Sequence, residues 1–283
     1  YNDQEPEVPY PRNSYTGYRG NMNVRHALVI STNTIAAQVW RNLLGGETSL
    51  QYMQQLGIER NDENYVAISL GAFSRGMSSL EMTAAYAAFA NSGIYTDPYA
   101  YTRVLDADGN VLLENIPQFH QVFKPTTAYV MTSILHDVTV SGTASLIRGA
   151  VSGVIAAGKT GTTDNYRDRW FCGYTPYYTA VVWYGYDNRL GIIEIPSGDR
   201  ANAVHIWNDA MTRIHEGLEP IEFERPSGLL TMTICRESGA KASLYCTDTV
   251  LEYFIPGALM NPNTECILHT PAPAPIPSPT PQP

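Results

Sequence analysis

Lysine is scarce in this chain. Of 283 residues 18 are basic, and only Lys124, Lys159 and Lys241 are lysines. Chemistry that needs an amine must use one of these three or import one. A basic excess is also lacking: against 27 acidic residues the net charge is −9. That disfavours a nucleic-acid binder, whose surface is usually basic. The four cysteines, Cys172, Cys235, Cys246 and Cys266, are too few to scaffold a chain of this length. No apolar run approaches the ~20 residues of a membrane helix, and no charged-then-apolar leader opens the chain. What is present is globular in composition, 44% hydrophobic and 16% charged. The length suits one large domain or two small ones at about 100–200 residues each.

The composition shifts along the chain. The opening YNDQEPEVPYPRNSYTGYRG is polar and turn-like, and reads as the middle of something larger. From about Asn23 to Gly217 helical and strand patterns alternate, so residues 1–222 are read as the principal domain. Residues 223–269 form an appendage holding three of the four cysteines. The tail 270–283 ends in PAPAPIPSPTPQP and reads as polyproline II or disorder, a spacer more than a recognition motif. Within the first part, Ser31-Thr32-Asn33 interrupts a helical pattern over 23–44, because these residues favour caps and turns. Two helices are expected to meet there. Ser78-Ser79-Leu80-Glu81 reads as a capping box opening a helix closed by Gly93. Asp108-Gly109 signals a hairpin. Pro125 begins a helix whose apolar face is Ala128, Met131, Ile134, Leu135 and Val138. Three strands follow, 156–163, 170–174 and 179–186. Their links are too short for parallel crossovers, so the strands are antiparallel. A helix over 203–217 closes an α+β domain, an antiparallel sheet flanked by helices.

Two short motifs carry chemistry. Ser31-Thr32-Asn33 sits at the break between helices, and Lys159-Thr160-Gly161-Thr162 sits on a strand followed by a hairpin. Each is weak alone: Ser-x-Asn is also an ordinary cap, and Lys-Thr-Gly an ordinary strand end. Together they are two of the three elements that mark serine β-lactamases and penicillin-binding proteins, the third being Ser-x-x-Lys. From there the resemblance is long. The stretches YRGNMNVRHALVISTNTIA, LGAFSRGMSSLEMTAAYAAFANSGIYTDPYAYTRVLDADGNVL, AGKTGTTDNYRDRWFCGYTPYYTAVVWYGYDN and IWNDAMTRIHEG resemble, in order, the transpeptidase domain of class A penicillin-binding proteins. The likeness covers roughly residues 8–217.

The resemblance implies a serine β-lactamase/DD-transpeptidase fold and acyl transfer from D-alanyl-D-alanine stem peptides, cross-linking peptidoglycan. β-Lactams would be inhibitors that mimic that peptide. It implies that Ser31 and Lys159 lie on the proton route to the leaving amine and that Asn33 offers its amide to the substrate peptide. Thr160 and Thr162 would offer hydroxyls to the substrate carboxylate. Bare Gly161 would let an extended substrate lie along the strand edge. The Thr162 N–H would form half of an oxyanion site. No cofactor or metal is implied. An upstream glycosyltransferase domain and a membrane anchor are, with this domain on the extracytoplasmic face.

The family's nucleophile is missing. No Ser-x-x-Lys precedes Ser31, so the fragment alone is expected to be inactive and poorly stable, with apolar surface bared around Leu28 and Ile35. The one match, Ser238-Gly239-Ala240-Lys241, comes after the Lys-Thr-Gly strand, and Gly239 disfavours the helix such a motif needs by about 1 kcal/mol. It is rejected. Asp164, Asn165, Asp168 and Arg169 read as a solvated turn, Trp170 and Phe171 as sheet core, and Cys172 as a buried free thiol. Cys235, Cys246, Cys266 and His269 are spaced C-x10-C-x19-C-x2-H. Outside the membrane a Cys235–Cys246 disulfide is the simpler expectation. Another pairing or a zinc site stays open. A cysteine-bearing tail with Ser-Gly between its first two cysteines resembles appendages on some Gram-positive members. Two rival readings remain: a DD-carboxypeptidase or β-lactamase, and a non-catalytic module that binds wall peptide.

Overall fold

The computed structural model of the chain describes residues 11–60, 65–163, 166–186, 202–257 and 264–270. The order is α1 (Val24–Val29), α2 (Asn33–Val39), α3 (Gly46–Gln55), α4 (Ser79–Ala90), β1 (Ile94–Thr96), β2 (Arg103–Leu105), β3 (Val111–Glu114), β4 (Phe119–Gln121) and α5 (Pro125–Val140). Then come β5 (Ala150–Val151), β6 (Val154–Ile155), β7 (Ala157–Thr162), β8 (Asp168–Tyr174), β9 (Thr179–Gly185), α6 (Asn202–Ile214), β10 (Leu230–Cys235) and β11 (Thr249–Phe254). This is an α+β architecture. Its central sheet runs β7-β8-β9, both pairs antiparallel.

The local signals act as their chemistry requires. Ser78 Oγ accepts the Glu81 N–H at 3.1 Å while Glu81 Oε2 accepts the Ser78 N–H at 2.7 Å, a closed capping box on α4. Asp106 Oδ1 accepts the N–H groups of Asp108 and Asn110 at 2.9 and 2.8 Å, fixing the β2–β3 turn. Pro125 opens α5, where a missing N–H costs nothing. The β1–β4 and β5–β6 pairs carry no clear sequence signal, because these strands are only two or three residues long.

The core gathers on the sheet. Leu135 and Val138 from α5, Phe171 and Tyr174 from β8, and Val204, Trp207 and Met211 from α6 form one buried cluster with Val29 of α1. Trp207 is fully buried, meets Phe171 edge-on at 5.0 Å, and donates its indole N–H to the Ala180 carbonyl at 2.9 Å. Thr132 and Tyr174 share a buried hydroxyl hydrogen bond at 2.9 Å, which ties α5 to β8. Arg25 of α1 is buried and reaches Asp137 of α5 at 2.8 Å.

The chain separates into two compact units, one of residues 1–18 and 24–228, the other of 19–23 and 229–283. The break falls later than the composition shift near residue 223, because Phe223 sets its ring edge-on against Tyr174 at 5.5 Å and so belongs to the first core. The second unit is built on the β10–β11 hairpin, in register from Leu230↔Phe254 to Cys235↔Thr249. In it Asn23 Nδ2 donates to the Arg236 carbonyl at 3.1 Å. The proline-rich tail lies outside the described residues.

Replacing Trp207 by alanine removes the largest fully buried side chain among the described residues and its part-buried hydrogen bond to Ala180. The expected loss is about 3–5 kcal/mol, read as a lower urea midpoint. An unchanged midpoint would show that α6 does not hold the sheet.

Candidate active site

Ser31 occupies the short break between α1 and α2. The end of α1 is wound up by three backbone bonds: Ile30 N–H to the His26 carbonyl, Ser31 N–H to Leu28 and Thr32 N–H to Ala27, at 3.1, 3.1 and 2.8 Å. Thr32 is extended and caps α2. To make the turn Ser31 takes φ of 57°, a left-handed backbone uncommon outside glycine. Such strain costs on the order of 1–3 kcal/mol and persists only where surrounding structure imposes it. Part of that structure is the turn after α5. Thr143 donates its N–H to the Val29 carbonyl at 3.2 Å, and the bare Gly142 lies so close that a Cβ would overlap the same oxygen.

Lys159 sits on β7, opposite Cys172. Its Nζ donates to Ser31 Oγ at 2.9 Å and to the Thr160 carbonyl at 3.0 Å. The two motifs, 128 residues apart, therefore meet at one hydrogen bond. Although Lys159 keeps some accessible surface, its head group is deep enough for burial to pull its pKa from 10.5 to about 8. Burial also pushes the Cys172 thiol up to about 12, despite the neighbouring ammonium, so this free cysteine is neutral and inert.

The remaining expected residues cluster beside this pair. Thr160 Oγ1 is hydrogen bonded to Thr143 Oγ1 at 2.6 Å. Gly161 faces Trp170, where a Cβ would come within 3.1 Å. Thr162 Oγ1 accepts Arg169 Nη1 at 2.9 Å. Among the described residues β7 pairs only with β8, so its other edge is open. Thr163 donates its N–H to the Asp168 carbonyl at 3.2 Å. Donors alternate along an antiparallel ladder, which turns the N–H groups of Thr162 and Thr160 toward the open edge. Asn33 opens α2, and its Nδ2 donates to the Arg12 carbonyl at 2.7 Å.

Arg169 and Asp168 are corrected. They do not form a solvated turn. Asp168 begins β8 and accepts the Trp183 indole N–H at 2.8 Å. Arg169 is buried, with its guanidinium 4.7 Å from the Tyr166 ring centre. Its register opposite Thr162 brings a fixed positive charge to the motif. No motif announced this. Only the correct strand start could have, by making Arg169 the cross-strand partner of Thr162. Thr143 was missed as well, because a lone threonine after a helix carries no signature. Asp164 and Asn165 lie outside the described residues. Ser238 and Lys241 are not on a helix: Ser238 Oγ accepts the Ala240 N–H at 3.2 Å, and Lys241 faces Glu265 at 3.7 Å.

Known proteins share this sequence and this fold. The sequence model of the penicillin binding protein transpeptidase domain matches residues 2–189, and that of the penicillin-binding protein 1A C-terminal domain matches residues 225–271. Penicillin-binding protein 1A of Clostridium tetani is 36% identical over 95% of this chain and 35% of its own length. Its counterpart in Aquifex aeolicus is 34% identical over 83% of this chain and 31% of its own. The chain thus spans about a third of the curated relatives it matches. The solved structure of penicillin-binding protein 1A from Haemophilus influenzae superposes with a TM-score of 0.77, at 23% identity, over 87% of this chain and 42% of that one. The penicillin-binding protein PonA1 from Mycobacterium tuberculosis superposes with a TM-score of 0.63, at 25% identity, over 72% and 59%. Sequence, fold and the meeting of Ser31 with Lys159 agree, and the chain belongs to the penicillin-binding protein transpeptidase family, in its class A branch.

Proposed function

We propose that this chain carries the proton-relay and substrate-docking part of a DD-transpeptidase site that cross-links peptidoglycan by serine acyl transfer. The attacking serine comes from a Ser-x-x-Lys segment outside this sequence. The observation that carries the reading is the 2.9 Å hydrogen bond from Lys159 Nζ to Ser31 Oγ.

A hydroxyl that accepts from an ammonium can donate its own proton elsewhere. As the attacking serine's oxygen bonds the carbonyl carbon, its proton passes to the lysine of its own Ser-x-x-Lys segment; when the peptide bond between the two D-alanines then breaks, the departing amine takes the proton of Ser31, and Ser31 takes one from Lys159. In the second half the incoming amine bonds the acyl carbon and gives its proton to Ser31, which returns one to Lys159, and the attacking serine leaves with the proton its own lysine held. The cycle closes with no net change. A lysine near pKa 8 suits both directions at neutral pH, since catalysis is best when the group's pKa lies near the working pH. The open edge of β7 receives the extended stem peptide as an added strand. Its terminal carboxylate meets the hydroxyls of Thr160 and Thr162, and Arg169 supplies positive charge through Thr162. The Thr162 N–H faces the acyl oxygen, where a lost donor costs about 100–1000-fold in rate. β-Lactams occupy the same edge as peptide mimics. No cofactor takes part. In the whole protein a glycosyltransferase domain and an anchor precede this domain on the extracytoplasmic face of the membrane.

Fluorescent penicillin tests the assignment. The 283-residue chain is expected to form no stable covalent adduct. The longer protein that includes the Ser-x-x-Lys segment is expected to form one, and Ser31→Ala in it should slow acyl transfer by about 10²–10⁴-fold. An adduct on the present chain, or full activity of the variant, overturns the reading.

The depressed amine also has a stability signature. Between pH 8 and 10.5 the unfolded chain still holds the lysine proton that the folded chain has released. Stability therefore rises with pH across that window, and the whole cost of burying the charge is present below it. Lys159→Met removes the buried amine. Its stability advantage in urea unfolding is expected to be largest at neutral pH and to shrink as pH climbs past 8. An advantage that is constant with pH would place the ammonium in solvent.

A further inference from the structure

The second unit has almost no apolar core. Among its described residues only Ile234, Cys235 and Cys266 are buried, while Leu244, Ile267, Leu268 and Leu251 are exposed. Modules this small seldom hold together by burial alone and usually need a cross-link. All four cysteines are free thiols in this structure, Cys235 and Cys246 among them. Cys235, Cys246, Cys266 and His269 converge, with their three Sγ atoms and one ring nitrogen all within 4.8 Å of one another.

We propose that these four residues form a closed, tetrahedral zinc(II) site that staples the second unit. The spacing fits the ion. His269 Nδ1 lies 3.5 Å from Cys235 Sγ and 3.4 Å from Cys266 Sγ. A tetrahedron with Zn–S bonds of about 2.3 Å and Zn–N bonds of about 2.0–2.1 Å has S···N edges of about 3.5 Å. The other ring nitrogen, Nε2, lies 3.2 Å from Glu237 Oε2. A carboxylate behind a ligating histidine fixes its tautomer and ring angle and strengthens it as a ligand. Cys246 Sγ accepts the backbone N–H of Ser243 at 3.3 Å, which suits a sulfur that carries charge.

The backbone builds the cluster from three stretches. Cys235 ends β10 in a turn closed by the Gly239 N–H on the Cys235 carbonyl at 2.9 Å, with Gly239 at φ of 71°. Cys246 closes a second turn onto the Ser243 carbonyl at 3.2 Å. Cys266 is pinned by its N–H to the Lys241 carbonyl at 2.8 Å, and His269 follows three residues later. Three thiolates and one imidazole are a soft set that selects zinc over magnesium or calcium. With four protein ligands no position is open for substrate, so the ion is structural. On binding, three S–H bonds break, three Zn–S bonds form, and three protons pass to water; histidine binds as the neutral ring. The site is separate from Ser31 and Lys159 and stands whether or not the proposed reaction is correct.

The test uses the full chain, purified with reductant and without chelator. One zinc per chain is expected by elemental analysis. Cobalt(II) put in its place should show the intense visible bands of tetrahedral coordination and a sulfur-to-cobalt charge-transfer band. Cys266→Ser and His269→Ala should lose the metal, Cys172→Ser should keep it, and Glu237→Gln should bind about 10–100-fold more weakly. If a ligand variant fails to fold, the cobalt spectrum of the unaltered chain decides. Zinc well below one per chain with every thiol free, a disulfide among Cys235, Cys246 and Cys266, an octahedral cobalt spectrum, or retention of metal by both ligand variants overturns the proposal.

Discussion

The hydrogen bond between Lys159 and Ser31 is the constraint around which the first unit is arranged. One partner stands at a break between two short helices and the other on a strand, with most of the domain's sequence between them. The intervening α5 makes the meeting possible. Its body is fastened to the sheet: Thr139 Oγ1 donates to the Ala156 carbonyl at 3.0 Å, His136 Nδ1 lies 2.8 Å from the same oxygen, and Thr132 bonds Tyr174. The turn after it is fastened to the end of α1 through Thr143. Thr143 also touches Thr160 by its side chain, so one residue ties the serine's loop and the lysine's strand together. The left-handed backbone of Ser31 is the cost of this arrangement, and the neighbouring Val29 and Ile30 pack into the sheet core around Trp207 and Phe171.

Much of this was legible in the sequence, for physical reasons. The capping box and Pro125 are local signals whose energies do not depend on the rest of the fold, and the apolar face of α5 is visible in its spacing alone. Short links forced β7, β8 and β9 to be antiparallel. What was not legible depends on register. Arg169 looked like part of a polar turn, yet starting β8 at Asp168 sets it opposite Thr162 and under Tyr166. The spacing C-x10-C-x19-C-x2-H hid a cluster because the separations say nothing about where the chain returns. The return is made by Lys241, which bridges both Ile234 and Glu265 and so lays the Cys266 segment alongside β10.

The four cysteines take two opposite fates by environment alone. Cys172 lies across from Lys159 with no acceptor for its proton, and burial keeps it a neutral hydrophobe. The other three are gathered by turns whose N–H groups and histidine face the sulfurs. Side-chain identity is the same in both places. What differs is whether backbone donors and a second ligand are supplied, which is a property of the loop and not of the residue.

Gly142 lets the turn after α5 touch the last carbonyl of α1. A methyl group there would overlap the Val29 carbonyl and the Val138 backbone, so the turn and the end of α1 could not keep their present contact. Any side chain at residue 142 therefore acts on the serine's loop from behind, through backbone alone, while leaving the hydroxyl of Ser31 and the amine of Lys159 chemically intact.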